Sequence, residues 1–212
     1  MLSKSMVRVV ALFGLTLVTS SVRANITSGS WFMDQSNTFA DGTNYGRVDI
    51  EADDVAGTVK FTVDAFDVQP LYGTLTNFGL QKFGFNFDNV TSLPSAWALA
   101  LPSGWSQVTN SNSLDGFGSF EVQEAGNGSS RQDPLMFTLT LPTVSEAIAS
   151  NFAVLGAGGS EGTFFFAARV AGFGNDESHF IGGSTVVPVP GAAALAALGL
   201  GMVGFVNRRR AR

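Results

Sequence analysis

No cysteine occurs anywhere in this chain, which excludes disulfides and thiolate metal sites. There is one histidine, His179, so the usual histidine-rich zinc constellations are out of reach as well. Charge is also scarce, at 14% of residues, and it is sharply segregated. Lys4, Arg8 and Arg23 lie at the amino end, and Arg208, Arg209, Arg210 and Arg212 at the carboxyl end. Between them stand Arg47, Lys60, Lys82, Arg131 and Arg169 against all 17 acidic residues, so the middle of the chain carries −12. A domain that acidic repels phosphate backbones, which excludes nucleic acid as an expected partner. It attracts cations and basic surfaces instead.

What the chain does have is apolar and glycine-rich: 45% hydrophobic residues, 19 Phe and 25 Gly among 212. That mixture suits strands and turns better than helices. Residues 1–24, "MLSKSMVRVVALFGLTLVTSSVRA", follow the secretory pattern. Lys4 and Arg8 supply the positive start, Val9 to Val18 an apolar run too short to span a bilayer, and Val22 and Ala24 the small-residue cleavage site. The expectation is a signal peptide cut after Ala24, and an exported protein.

The other end, residues 186–212, reads "VVPVPGAAALAALGLGMVGFVNRRRAR". No residue from Pro190 to Val206 is charged, and as a helix that stretch is about 25 Å long, near the lower limit for crossing the hydrocarbon core. Small residues stud it, which favours close helix approach, and the arginines after it should stay cytoplasmic. Two prolines just before it cannot continue a helix and keep the chain extended, as a protease requires.

This tail resembles the PEP-CTERM sorting domain: a short Pro-x-Pro motif, a transmembrane helix and a terminal basic cluster. Val187-Pro188-Val189-Pro190 stands for the motif, Gly191 to Val206 for the helix, and Arg208, Arg209, Arg210 and Arg212 for the cluster. Val189 takes the place where the family usually has glutamate. The resemblance covers about 27 residues and says nothing of the domain before them. It implies an inner-membrane intermediate in a Gram-negative-type bacterium, cut near the motif by an exosortase and released to the cell surface or extracellular matrix. A tail that is never cut would make the chain a permanently anchored single-span membrane protein.

The segment 25–185 holds strand-sized runs separated by Gly, Asn, Asp, Ser and Pro. Residues 46–52, 57–68, 82–88, 118–125, 135–142 and 162–173 all read as strands. One helix is expected, over Thr143 to Phe152, with Thr143 and Glu146 spaced as a capping box. The expected fold is all-β, a single antiparallel β-sandwich or jelly roll. About 160 residues suffice to bury a core without disulfides.

Chemistry is hard to find in that domain. Gly158-Gly159-Ser160-Glu161-Gly162 matches the G-x-S-x-G elbow, and Asp176 and His179 follow in hydrolase order. The elbow needs a helix after the serine, whereas Thr163 to Phe166 reads as a strand, so a β-turn is the expected role. A secreted hydrolase on polysaccharide or ester bonds is the competing reading, and paired carboxylates would serve it equally. Asp49, Glu51, Asp53 and Asp54, and separately Asn175, Asp176 and Glu177, offer oxygen ligands for calcium, though neither group follows the EF-hand pattern. Trp31, Trp97, Trp105, Tyr45 and Tyr72 would stack on sugars of a matrix polysaccharide if exposed, and would fill a core otherwise. The reading that results is a non-catalytic exported protein of the cell surface or matrix, acting in adhesion or exopolysaccharide assembly, without a cofactor.

Overall fold

A computed structural model describes residues 25–67, 75, 77–108, 113–173 and 177–187. The expected signal peptide, the Pro188-Val189-Pro190 part of the motif, the span Gly191 to Val206 and the arginine cluster lie outside the described residues. The rest is all-β, with twelve strands in two antiparallel sheets.

The strands are β1 (Ile26–Met33), β2 (Gln35–Ser36), β3 (Gly46–Asp53), β4 (Thr58–Ala65), β5 (Gly79–Phe85) and β6 (Ala98–Ala100). Then come β7 (Ser106–Val108), β8 (Val122–Ala125), β9 (Leu135–Thr140), β10 (Phe166–Ala171), β11 (Ser178–Gly183) and β12 (Thr185–Val186). The first sheet runs in the order β12-β1-β3-β4-β9-β6 and the second β2-β11-β10-β5-β8-β7.

Alternation decides the faces. Val48, Ile50 and Ala52 of β3 point inward with Val59, Phe61 and Val63 of β4 and Leu135, Phe137 and Leu139 of β9. Arg47, Asp49, Glu51 and Lys60 take the other face. The two inner faces meet through phenylalanine. Phe61 of the first sheet stacks on Phe137 at 4.7 Å and reaches Phe85 of the second at 4.7 Å. Phe83 stacks on Phe166 at 6.0 Å, and Trp31 lies 5.5 Å from Phe166. Offset and tilted pairs of this kind add to the area they bury.

One edge is folded across both sheets. The chain leaves β1 in the first sheet at Met33 and enters β2 in the second at Gln35, while β11 and β12 make the reverse crossing. The two crossings lie side by side, because β2 pairs with β11 and β12 with β1. Thr185 Oγ1 donates to Asp34 Oδ2 at 2.8 Å and ties them together. Gly183 is needed there, since a Cβ would fall 2.2 Å from the Phe32 carbonyl oxygen. The first two residues of segment 186–212 therefore belong to the folded domain. Val186 pairs with Trp31, and the Val187 N–H donates to the Ser30 carbonyl at 2.9 Å.

A second, smaller apolar cluster lies on the outer face of the second sheet. Leu114, Phe117, Phe120 and Phe164 cover the outward positions Gly84 and Gly182, where a Cβ would meet those rings. The six expected strands correspond to β3, β4, β5, β8, β9 and β10, although β10 starts only at Phe166.

The expected helix over Thr143 to Phe152 does not form. Two short 3-10 turns, Val144–Glu146 and Ala149–Phe152, take its place. Thr143 makes no capping bond, and the Glu146 carboxylate instead accepts the Thr91 N–H at 3.1 Å and the Thr91 hydroxyl at 2.6 Å. Burial of Ala149 and Phe152 in the core overrides the local helical pattern.

Candidate functional site

Ser160 occupies a two-residue turn between Gly159 and Gly162, which face each other across an isolated antiparallel bridge. The next regular element is the strand β10, so the strand–turn–helix of a nucleophile elbow is not formed. His179 sits on β11 in a different setting. Phe39 and Phe173 hold its ring at centroid distances of 4.7 Å each, and its Nδ1 lies 3.0 Å from Thr38 Oγ1. Burial depresses its basicity, and Glu177, 4.0 Å from Nε2, partly opposes that shift. Asp176 and Asn175 lie outside the described residues.

The carboxylates considered for calcium are separately engaged. Asp49 accepts from the Ser30 hydroxyl and from Arg47, which also pairs with it at 2.8 Å. Asp53 accepts the Val55 and Ala56 N–H groups of the β3–β4 turn, and Asp54 accepts the Asn25 N–H at 2.9 Å. Among the described residues no three acidic or histidine side chains are grouped to hold a metal. Trp31, Trp97, Trp105 and Tyr45 are all buried, so of the two roles considered for them it is the core that they fill. Tyr72 lies outside the described residues. The indoles are satisfied internally, Trp97 by the Ser92 hydroxyl at 2.9 Å and Trp105 by the Ser130 carbonyl at 2.6 Å.

A concavity with mixed chemistry lies elsewhere, at one end of the second sheet. There the chain leaving β5 (Asn86–Asp88) runs beside the approach to β8 (Ser119–Glu121), and the segment Val154–Ala157 forms the opposite wall of a cleft of about 370 Å³. The walls are pinned by backbone groups. The Asp88 N–H donates to the Asn151 carbonyl at 2.9 Å, and the Gly156 N–H to the Phe164 carbonyl at 2.9 Å. Asn86 and Glu121 cross-link the near wall: the Glu121 N–H donates to Asn86 Oδ1 at 2.9 Å, and the Phe87 N–H to Glu121 Oε2 at 3.2 Å.

Asn86 is 4% exposed, yet its Nδ2 has no hydrogen-bond partner. The bond to Glu121 fixes the orientation of the amide, since a flip would set two donors against each other. Nδ2 faces Gly156, where a Cβ would lie 2.8 Å away. Asp88 and Glu121 are exposed at the rim, with Phe87 half-buried between them and Leu155, 53% exposed, on the far wall. Sequence alternation places Asn86 on the outward face with Lys82 and Gly84, which by itself implies solvent. Only the loop folded over that face turns the position into a cleft floor.

Two further carboxyl groups are perturbed, away from the cleft. Glu124 of β8 pairs in register with Phe83, so its side chain projects between the sheets. It is fully buried, neither oxygen has a hydrogen-bond partner, and burial pushes its carboxyl up to about 8. Asp133 is pushed up to about 6 by burial, reinforced by Asp64 and Asp67 and opposed by the Ala65 N–H that it accepts at 3.1 Å.

No family model, curated protein or solved structure matches this chain.

Proposed function

We propose that this chain is an exported, non-catalytic protein of the bacterial cell surface or extracellular matrix. In this reading its β-sandwich ectodomain, of the jelly-roll kind, is delivered through a PEP-CTERM-like tail and acts in adhesion or exopolysaccharide assembly. The observation that carries the reading is the order of the tail: Pro188 and Pro190, an uncharged run to Val206, and four arginines at the end. The fold supports it through Val186 and Val187, which are paired at a sheet edge immediately before the prolines. A processing enzyme needs an extended substrate, and an edge strand running into Pro-x-Pro supplies one. Signal peptidase would cut after Ala24 and an exosortase-type enzyme near Pro188 to Pro190, with the inner membrane as the intermediate station.

The test is the intact mass of the protein from its native host, in membrane and extracellular fractions. The reading expects a soluble species beginning at Asn25 and ending near Pro188 or Pro190. A membrane-bound species still carrying Arg212, with nothing outside the cell, would replace it with a permanent single-span anchor.

A further inference from the structure

We infer that the cleft between Asn86–Glu121 and Gly156 binds a neutral saccharide. The inference deepens the proposed matrix role by naming a ligand class, and it rests on the cleft rather than on the tail. Asn86 Nδ2 is a donor without a partner, buried in the floor against Gly156, so a ligand reaches it as that wall gives. A buried donor left unpaired is costly, so an acceptor atom delivered there is favourable.

At the rim the demand is reversed. Glu121 and Asp88 each spend one oxygen on a backbone N–H, from Phe87 and Asn89 respectively. Their second oxygens ask for donors.

Three ligand classes fail that pattern. An anion meets two carboxylates and no lining cation. A metal ion would want oxygen ligands from every side, but the floor offers N–H, because the Asn86 oxygen is held by the Glu121 N–H. A basic side chain brings donors for the rim and no acceptor for the floor. A sugar hydroxyl both donates and accepts, and a ring carrying several of them meets both demands at once. The apolar parts of Phe87 and Leu155 would meet the C–H faces of the ring. The cleft volume, about 370 Å³, lies at the small end of ligand sites and suits one or two sugar units.

The experiment is titration calorimetry of the purified full-length chain with a panel of neutral di- to tetrasaccharides of hexose and N-acetylhexosamine units. Uronate oligosaccharides and calcium chloride form the comparison arms. The expected result is saturable binding of a neutral member with Kd of about 1 mM or tighter, and uronates weaker by about tenfold. Glu121→Gln, which keeps an acceptor for the Phe87 N–H, should weaken binding about tenfold by loss of charge-assisted bonds. Gly156→Ala should abolish it, since its methyl would lie 2.8 Å from Nδ2 and hold that wall against the donor. Thermal melting of both variants establishes that they are folded.

Absence of saturable binding to every neutral saccharide, with the chain folded, would overturn the inference. So would preferential binding of uronates, or calcium binding that Glu121→Gln removes. The outcome is independent of export, since the titration uses purified protein and the sorting test uses cell fractions.

Discussion

Glu124 makes the stability of this fold pH-dependent in an unusual direction. Its carboxyl has an ordinary value of 4.5 and sits at about 8 in the folded chain, because burial penalises the charged form. Between those values the folded state holds a proton that the unfolded state has released, so stability falls as pH rises and levels off above about 8. Each pH unit within the window is worth about 1.4 kcal/mol. The whole window is then on the order of 5 kcal/mol, a large share of a typical domain's stability.

Two other groups overlap the lower part of the window. Asp133 acts in the same direction between 3.8 and about 6, with a smaller effect because it is roughly half-exposed and screened by solvent. His179 acts in the opposite direction below 6.5, since its folded form resists protonation. From pH 6.5 to 8 Glu124 remains alone among the shifted groups, which isolates it. Urea unfolding of the full-length chain, followed by fluorescence of the buried tryptophans, should lose about 2 kcal/mol across that interval. Glu124→Gln should flatten the profile and be more stable than the parent at pH 8 by on the order of 4 kcal/mol. A parent profile already flat from 6.5 to 8, or a slope that persists in Glu124→Gln, would refute the assignment.

Three other substitutions probe the packing and the amino end. Phe61→Ala empties the centre of the ring cluster that joins the two sheets, and should cost about 3–5 kcal/mol in the same urea experiment. Gly29→Ala places a methyl 2.2 Å from the Trp31 ring, so it should cost about 1–3 kcal/mol and red-shift part of the tryptophan emission as that ring is displaced. Cleavage after Ala24 would turn the Asn25 N–H, 2.9 Å from Asp54 Oδ1, into an ammonium group beside a carboxylate. Asp54→Asn should then lower the melting temperature of the mature chain slightly at low salt and leave it unchanged at high salt.

Strands were legible where alternation ran over six or more residues with large apolar side chains, as in β3, β4 and β9. β1 escaped because its inward face begins with Thr27 and Gly29, the glycine being small to admit the Trp31 ring folded back over it. The inward side of the strand thus reads as polar and small, although a bulky ring covers it. β11 escaped for a related reason, since "SHFIGG" ends on two glycines that a covering loop and a sheet crossing require. The tryptophans were ambiguous between core and surface until their neighbours were known, because large aromatics serve both. The cleft was illegible for a deeper reason. Asn86, Glu121 and Gly156 are ordinary loop residues up to 70 positions apart, and only the cover over the outer face of the second sheet brings them together.

The fold and the export reading meet at one edge. Every buried apolar side chain among the described residues lies between Trp31 and Phe173 or is Ile181, so the core lies inside the segment bounded by the two proposed cuts. β1 carries the amino end and β12 the carboxyl end, antiparallel and adjacent, with the Thr185–Asp34 bond closing the corner beside them. A cut after Ala24 and another near Pro188 would therefore fall beside the same strand pair, on the outside of a ladder already closed on its inner side by β3. Pro188, next in the chain after Val187, has no N–H, so a second copy seeking a strand partner finds one donor fewer there.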